Sequence, residues 1–369
     1  MKKFFLCIVA FIVLLTVTAC GEVVPAEPSA PEQEEEVAYS LIFDPDPLFY
    51  GVYFGSYPQT QVTDTAIGDA LTHAAGELPS SANKRNWTSY GYYRHGIVEN
   101  FMWYIDLTHE GAKYRGVYFT EYRPADPMIY YADGSVESDH YQDVNGYNKN
   151  TVYWFKFEPI KWRILNVISL AQEDALLFSE TVLDCQPFDF CDGNYRNDYT
   201  KSTIRSWLND FFYETAFNVE QKEMVVKATV RNDAFSAGRL GKYDASEFEL
   251  GNTEDKVFLL SIQEATYGNY SFFSSESKYG PLRKKHNSDY ARAQGSREWE
   301  NTTSDDDTDT DNGFWWLRTK ASYGACRCVQ PDGFAERTQM PYRSDIGVVP
   351  AIRVRFPEDL QTAFASLIE

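Results

Sequence analysis

Residues 151–168 read TVYWFKFEPIKWRILNVI, a run rich in β-branched and aromatic residues with a proline inside it. This composition is typical of strands. We expect two strands here, Thr151–Glu158 and Ile160–Ile168. The short apolar run Ala175–Phe178 predicts a third strand, which is buried. Three strands in succession indicate a β-sheet in the middle of the chain.

A helix is predicted to follow this sheet, beginning at Ser202, a residue type that caps helix N-termini. Ile204, Trp207, Leu208 and Phe211 recur at i, i+3, i+4 and i+7, so they form one apolar stripe. Burial of that stripe places Trp207 in the core and not in a ligand site. Because helices and strands occur in mixed order, the predicted fold class is α+β.

Elements of both kinds are also predicted outside this region. Asp64 precedes a helical pattern, and Phe101–Ile105 has the pattern of a strand. Capping boxes that begin at Asn218 and Ser261 indicate two further short helices. We expect the first of these to bury Val219.

The composition excludes several classes of protein. Of 369 residues, 43% are hydrophobic and 16% aromatic, which argues against a disordered chain or a coiled coil. The formal net charge of −20 repels phosphate, so we expect no nucleic acid partner and no binding of the protein surface to anionic lipid.

The N-terminus has the features of an export signal. Lys2 and Lys3 precede an apolar run, Phe4–Val17, and small residues then lead to Cys20. The segment resembles the lipobox of bacterial lipoproteins, in which this cysteine becomes the first mature residue and carries lipid. A transmembrane helix is the alternative, but the run is shorter than the roughly 20 residues that span a bilayer. We therefore predict a signal peptide over 1–19 and lipidation at Cys20.

The predicted domain organisation follows from this signal. Residues 20–43 are rich in Pro and Glu and are expected to form an extended acidic tether. Residues 44–355 are expected to form a single α+β domain, followed by a C-terminal tail at 356–369. The predicted location is the extracytoplasmic face of the cell membrane, with the lipid anchor as the attachment.

Four more cysteines remain in the exported part: Cys185, Cys191, Cys326 and Cys328. A bridge between Cys326 and Cys328 would be strained, so we favour pairing each of Cys185 and Cys191 with one of them. A zinc site and free structural thiols are the alternatives, although the spacings match zinc knuckles poorly.

Five segments occur in the order of a known bacterial family. They are FGSYPQT (54–60), PIKWRIL (159–165), STIRSWLN (202–209), WWLR (315–318) and GVVPAIR (347–353). With them the chain resembles a family of exported bacterial domains of unknown function. The WWLR segment with its terminal strand is also similar to the formylglycine-generating-enzyme and C-type lectin folds. That resemblance implies an irregular domain with short strands, a few helices and long loops that present a binding surface.

Trp316 and Arg318 are the ligand-binding candidates. Successive side chains of a strand point to opposite faces, so one indole of Trp315 and Trp316 should be buried while the other is free to stack on a sugar. Arg318 shares a face with Trp316, where it would stack on the indole or pair with an acidic residue. Burial of both indoles is the alternative.

An acidic run, SDDDTDTDN at 304–312, partly matches a calcium-binding loop. Asp307, Asp309 and Asp311 match the first positions of an EF-hand loop, but Arg318 stands where the bidentate Glu is required. They are weak metal candidates, and a solvated acidic loop is the alternative. Apart from this possible calcium ion, we expect no cofactor.

The function expected from the sequence is binding. No nucleophile elbow, phosphate-binding loop or metalloprotease motif occurs, so we assign no catalytic residue. We expect a surface lipoprotein whose Tyr- and Asn-rich loops bind an extracellular glycan or protein. The alternatives are a hydrolase of glycans or cell-wall polymers with a carboxylate pair, and a structural surface protein without a ligand.

Overall fold

The computed structural model describes residues 39–45, 48–94, 97–127, 138–166, 174–190, 196–238, 245–266, 270, 280–298, 311–358 and 362. The strands of the first half are β1 (Tyr39–Pro45), β2 (Leu48–Gln61), β3 (Thr88–Ser89), β4 (Tyr92–Arg94), β5 (Ile97–Glu99), β6 (Met102–His109), β7 (Ala112–Phe119), β8 (Val152–Ile164), β9 (Ala175–Ser179), β10 (Thr181–Val182) and β11 (Asp184–Cys185). Those of the second half are β12 (Val225–Val226), β13 (Ala228–Val230), β14 (Thr253–Asp255), β15 (Val257–Phe258), β16 (His286–Asn287), β17 (Trp315–Lys320), β18 (Cys326–Val329), β19 (Arg337–Gln339), β20 (Gly347–Val348) and β21 (Ala351–Val354). The helices are α1 (Thr65–Ala75), α2 (Thr203–Trp207), α3 (Tyr213–Ala216), α4 (Val219–Met224), α5 (Ile262–Ala265) and α6 (Asp289–Ala293), with a π-helical turn, Leu208–Phe212, between α2 and α3.

Strand β8 is the centre of the main sheet. It pairs antiparallel with β2 along most of its length, with β7 near its start and with β9 near its end. The two strands that we expected around Pro159 are therefore one strand, and that prediction was wrong. The irregularity falls on the partner instead: the register of β2 shifts between Tyr53 and Ser56, where Gly55 has a φ of 69°.

Two sheets carry most of the strands. In the main sheet the order is β12-β21-β9-β8-β7-β6-β3, and β1, β2 and β15 join at the sides. A second sheet of short strands has the order β11-β20-β17-β18-β19. Strands β4 and β5 form a separate two-stranded ribbon. Sheets and short helices together confirm the α+β class.

The hydrophobic core lies in two clusters. The smaller one packs α1 against one face of β6, β7 and β8, with Leu71, Trp103 and Trp154 buried. The larger one joins the main sheet to the second sheet and to α2, α3 and α6, and it includes Trp162, Trp315 and Trp316. Many of the aromatic residues noted in the composition thus fill the interior.

The ends of the domain differ from the predicted boundaries. Tyr39 begins a strand, although residues 20–43 were expected to be tether. Phe356, which we placed in the C-terminal tail, is buried in the core, and its ring centroid lies 5.7 Å from that of Tyr39. These two residues near the ends of the described domain therefore contact each other. Residues 1–38, which include the predicted signal peptide and Cys20, lie outside the described residues.

The predicted helix caps are confirmed. Asp64 and Ser202 accept hydrogen bonds from the first turns of α1 and α2, and Asn218 and Ser261 begin reciprocal capping boxes. The burial of Val219 was wrong, because this side chain is 75% exposed in the first turn of α4. Among the described residues, no helix has the length and apolar character needed to cross a membrane.

Candidate functional site

A cleft of about 200 Å³ opens beside the ribbon of β4 and β5. Its walls come from five parts of the chain: the segment of Tyr90 and Tyr92, the loop after β7 with Arg123, the loop that contains Gln186, helix α2 with Trp207, and Ser344. The lining is mostly apolar and aromatic, with few polar groups. Small-ligand sites have this kind of lining, although most of them are larger, at about 300–1,000 Å³.

Trp207 provides the flat wall of the cleft. It is the last residue of α2, and its ring is stacked on Phe211, with centroids 5.9 Å apart. Every other tryptophan that the structure describes is buried, whereas Trp207 is partly exposed. The π-helical turn begins at the next residue, and such turns occur often at functional sites.

Two tyrosines, Tyr90 and Tyr92, also line the cleft. The hydroxyl of Tyr90 lies 2.7 Å from that of Tyr290, and the hydroxyl of Tyr92 donates to Oε1 of Gln294 at 2.8 Å. Burial, and then the neighbouring Tyr290, raise the pKa of Tyr90 well above its usual value. The pKa of Tyr92 is also raised, chiefly by burial. Both hydroxyls therefore stay protonated at neutral pH and act as hydrogen-bonding groups rather than as bases.

Arg123 supplies the one charge of the described lining, and it is only 2% exposed. Its Nη1 donates to the carbonyl oxygens of Cys185 at 2.7 Å and Gln294 at 2.8 Å. Its backbone N–H donates to Oε1 of Gln142 at 2.7 Å. The guanidinium carbon lies 4.4 Å from the centroid of the Tyr92 ring, so the charged group is stacked on that ring.

The described lining of the cleft offers a limited set of chemical groups. No described residue of the lining is an aspartate, a glutamate or a histidine, so these residues provide no general base. They provide flat rings, tyrosine hydroxyls and a fixed guanidinium. Such a set holds a ligand that has an apolar or aromatic-stacking face together with hydrogen-bond acceptors.

Trp316 and Arg318, the ligand-binding candidates from the sequence, are both buried, and that assignment was wrong. The alternation argument assumed one open face, but β17 is covered on both. The ring of Trp315 packs on Phe178 and that of Trp316 on Phe188, with centroids 5.4 and 5.6 Å apart. The Nε1 of Trp316 donates to the carbonyl of Gln186 at 2.8 Å, so it supports the loop that lines the cleft.

Arg318 has a structural role as well. Its guanidinium donates to the carbonyl oxygens of Leu259 at 2.7 Å and Arg231 at 3.0 Å, and it forms an ion pair with Glu264. The expected pairing with an acidic residue is therefore present, but inside the protein. Burial raises the pKa of Glu264, but Arg318 lowers it, and the net result lies below the usual value.

The cysteines do not form the expected cross-link. Cys185, Cys326 and Cys328 are free thiols and are all buried, which contradicts a bridge from Cys185 to the β18 pair. The Cys185 thiol instead contacts the carbonyl oxygen of Ser344 at 3.2 Å. Burial raises the pKa of Cys328 to about 12. Cys191, the fourth candidate, lies outside the described residues.

The metal candidates receive little support. Asp307 and Asp309 lie outside the described residues. Asp311 is described, is exposed, and accepts a hydrogen bond through its backbone carbonyl from Asn287. Within the part of the chain that the structure describes, no group of three acidic, histidine or cysteine side chains is placed to hold a metal ion.

Sequence reasoning missed both main residues of the cleft. Trp207 was assigned to the core from its place in an apolar stripe, and one side of it does pack there. Its position at the junction with the π-helical turn is not visible in the sequence. Arg123 lies in a loop with no motif around it, so no sequence signal identified it.

The comparisons with known proteins give one match. A family model described as a domain of unknown function, DUF6273, matches residues 172–356, half of the chain. No curated protein and no solved structure matches. Of the residues in and next to the cleft, Gln186, Trp207 and Gln294 lie inside the matched region, whereas Tyr92 and Arg123 precede it. The chain belongs to the DUF6273 family.

Proposed function

We propose that this protein is a surface-anchored lipoprotein whose domain binds an extracellular glycan in the aromatic cleft. The observation that carries the proposal is the partly exposed ring of Trp207, which faces a cleft that also contains Tyr90, Tyr92 and Arg123. Flat aromatic rings with adjacent hydrogen-bonding groups suit the apolar faces and hydroxyls of sugars.

The proposed anchor rests on the sequence. A positive n-region, an apolar run and a small-residue segment before Cys20 support export and lipidation, and the acidic tether would hold the domain away from the lipid. The distant relationship to the C-type lectin fold is also a proposal, supported by the WWLR segment at 315–318.

The proposal is tested by a glycan array probed with the full chain and with two variants at Trp207. Loss of the ring in Trp207→Ala should weaken binding at least tenfold, or about 1.4 kcal/mol, while Trp207→Phe should give an intermediate loss. Phe235→Ala is the matched control, because Phe235 is an exposed ring that does not line the cleft. Urea denaturation checks that each variant folds.

Three outcomes would contradict the proposal. If the array is negative and the protein captures a defined extracellular protein through Trp207, the ligand is not a glycan. If a glycan is bound and cleaved, the hydrolase alternative applies. If no ligand of either kind binds, a structural role without a ligand remains.

A further inference from the structure

Part of the Arg123 guanidinium has no acceptor among the described residues. The Nη1 atom is used by the carbonyl oxygens of Cys185 and Gln294. The Nε and Nη2 atoms are buried and have no hydrogen-bond partner among the described residues. Buried polar atoms in native proteins nearly always have a partner, and leaving a charged one unpaired is costly. This arrangement therefore needs an explanation.

A third donor without a partner among the described residues belongs to Gln294, whose carbonyl oxygen accepts a hydrogen bond from Arg123. Gln294 is fully buried, its Oε1 accepts from Tyr92, and its Nε2 has no partner among the described residues. The buried carboxylate of Asp184 interacts electrostatically with Arg123. Its oxygens, however, accept from the hydroxyl of Tyr57 and the backbone N–H of Cys185, each at 2.6 Å. The donors are thus left for an acceptor from outside the described chain.

The geometry of the free donors selects the acceptor. The Nε–H and Nη2–H groups form one edge of the planar guanidinium, and this edge matches the two oxygens of a carboxylate. The stacked Tyr92 ring fixes the plane of the group. Arg123 lines the cleft, but both nitrogens are buried, so an acceptor reaches them from the cleft only when a lining side chain moves aside. The net charge of −20 gives no long-range attraction to an anion, so this local pair would have to provide the selectivity.

We propose that the cleft binds an acidic sugar residue, one whose ring bears a carboxylate, and that this carboxylate pairs with Nε and Nη2 of Arg123. The inference rests on the proposed glycan-binding function and names its ligand class. A cleft of about 200 Å³ has room for a single sugar ring and less room for the several side chains of a peptide.

The test compares acids with their own methyl esters on the unaltered full chain. Sialyllactose, trigalacturonate, the methyl ester of each and neutral lactose are titrated at pH 7 by calorimetry. At least one acid should bind tenfold or more tightly than its ester, because the ester cannot form the two charged hydrogen bonds. Arg123→Lys, which keeps the charge but not the fork, and Arg123→Gln should remove this preference. Arg355→Gln removes one positive charge from the surface, outside the cleft, and should leave it unchanged.

Each failure points to a different error. Equal binding of an acid and its ester would overturn the inference while the glycan-binding function stands. Binding of none of these probes, together with a negative glycan array, would overturn both. If a peptide with a free C-terminus binds through Arg123 but no acidic sugar does, the carboxylate belongs to a peptide and the sugar assignment is wrong. The ester comparison needs no variant, so it holds even if a substitution at Arg123 impairs folding.

Discussion

The ion pairs of Glu180 allow a quantitative prediction about stability. Glu180 follows β9 and accepts from Nε of Arg163 in β8 at 2.9 Å and from Nζ of Lys285 at 3.0 Å. Lys285 is only 2% exposed and lies 4.7 Å from the centroid of the Phe178 ring. The perturbation is Glu180→Gln, which keeps the shape of the side chain and removes its charge.

The magnitude follows from the pKa of Glu180. Burial raises this pKa, but Lys285 and Arg163 lower it, and the net value falls from 4.5 to about 2. That difference corresponds to about 3 kcal/mol of stability at neutral pH. Burial also lowers the pKa of Lys285, although Glu180 raises it, so the variant can release that proton and recover part of the loss. We expect Glu180→Gln to cost about 2 to 3 kcal/mol at pH 7.

The pH dependence has a definite sign. Because the folded pKa is below the unfolded one, the stabilisation is complete above about pH 4.5 and is lost as the pH falls toward 2. Urea denaturation followed by tryptophan fluorescence at pH 7, 4 and 3 measures the difference between the variant and the original protein. Glu223→Gln, at an exposed helix position, is the control and should change stability by less than about 0.5 kcal/mol. A difference for Glu180→Gln that is absent at pH 7, or constant down to pH 3, would refute the reasoning.

Three further predictions concern packing and the thiols. A Cβ at Gly116 would lie 2.7 Å from the Trp154 ring, so Gly116→Ala should destabilise the protein by about 1 to 3 kcal/mol in urea denaturation; an unchanged midpoint would contradict this packing. Gly68 lies inside α1, and apart from its neighbours and the helix backbone no atom lies within 4 Å of such a Cβ, so Gly68→Ala should stabilise by about 0.5 to 1 kcal/mol; a loss of stability would count against the helix. Because Cys185, Cys326 and Cys328 are buried, we expect none of these thiols to react with a thiol reagent at pH 8 until the protein unfolds. Labelling followed by peptide mapping measures this reaction. Rapid labelling of any of the three, or a disulfide between any two, would contradict the prediction.

Local features of the fold were predictable from the sequence. The caps at Asp64, Ser202, Asn218 and Ser261 are all present, because a cap depends on a few neighbouring residues. The strand assigned at Phe101–Ile105 also exists, but it begins one residue later and is longer, as β6 (Met102–His109). These elements are coded by short-range patterns, which a single sequence contains in full.

Long-range features were not predictable. The continuity of β8 through Pro159 depends on a register shift in β2, about a hundred residues earlier in the chain. The burial of Trp316 depends on Phe188, which no local pattern places beside it. The cleft has the same character, since Arg123 meets Gln294 only through the tertiary fold. The spacing of apolar residues shows which face of a strand or helix is apolar. It does not show which other part of the chain packs on that face.

The most direct test of the ligand site is a fluorine NMR spectrum of the full chain labelled with 5-fluorotryptophan. The Trp207→Phe variant identifies the Trp207 resonance. On addition of an acidic glycan that binds, we predict that this resonance shifts while those of the buried Trp103 and Trp162 stay in place. Binding that leaves the Trp207 resonance unmoved, or that shifts another tryptophan in its place, would contradict the location of the site in this cleft.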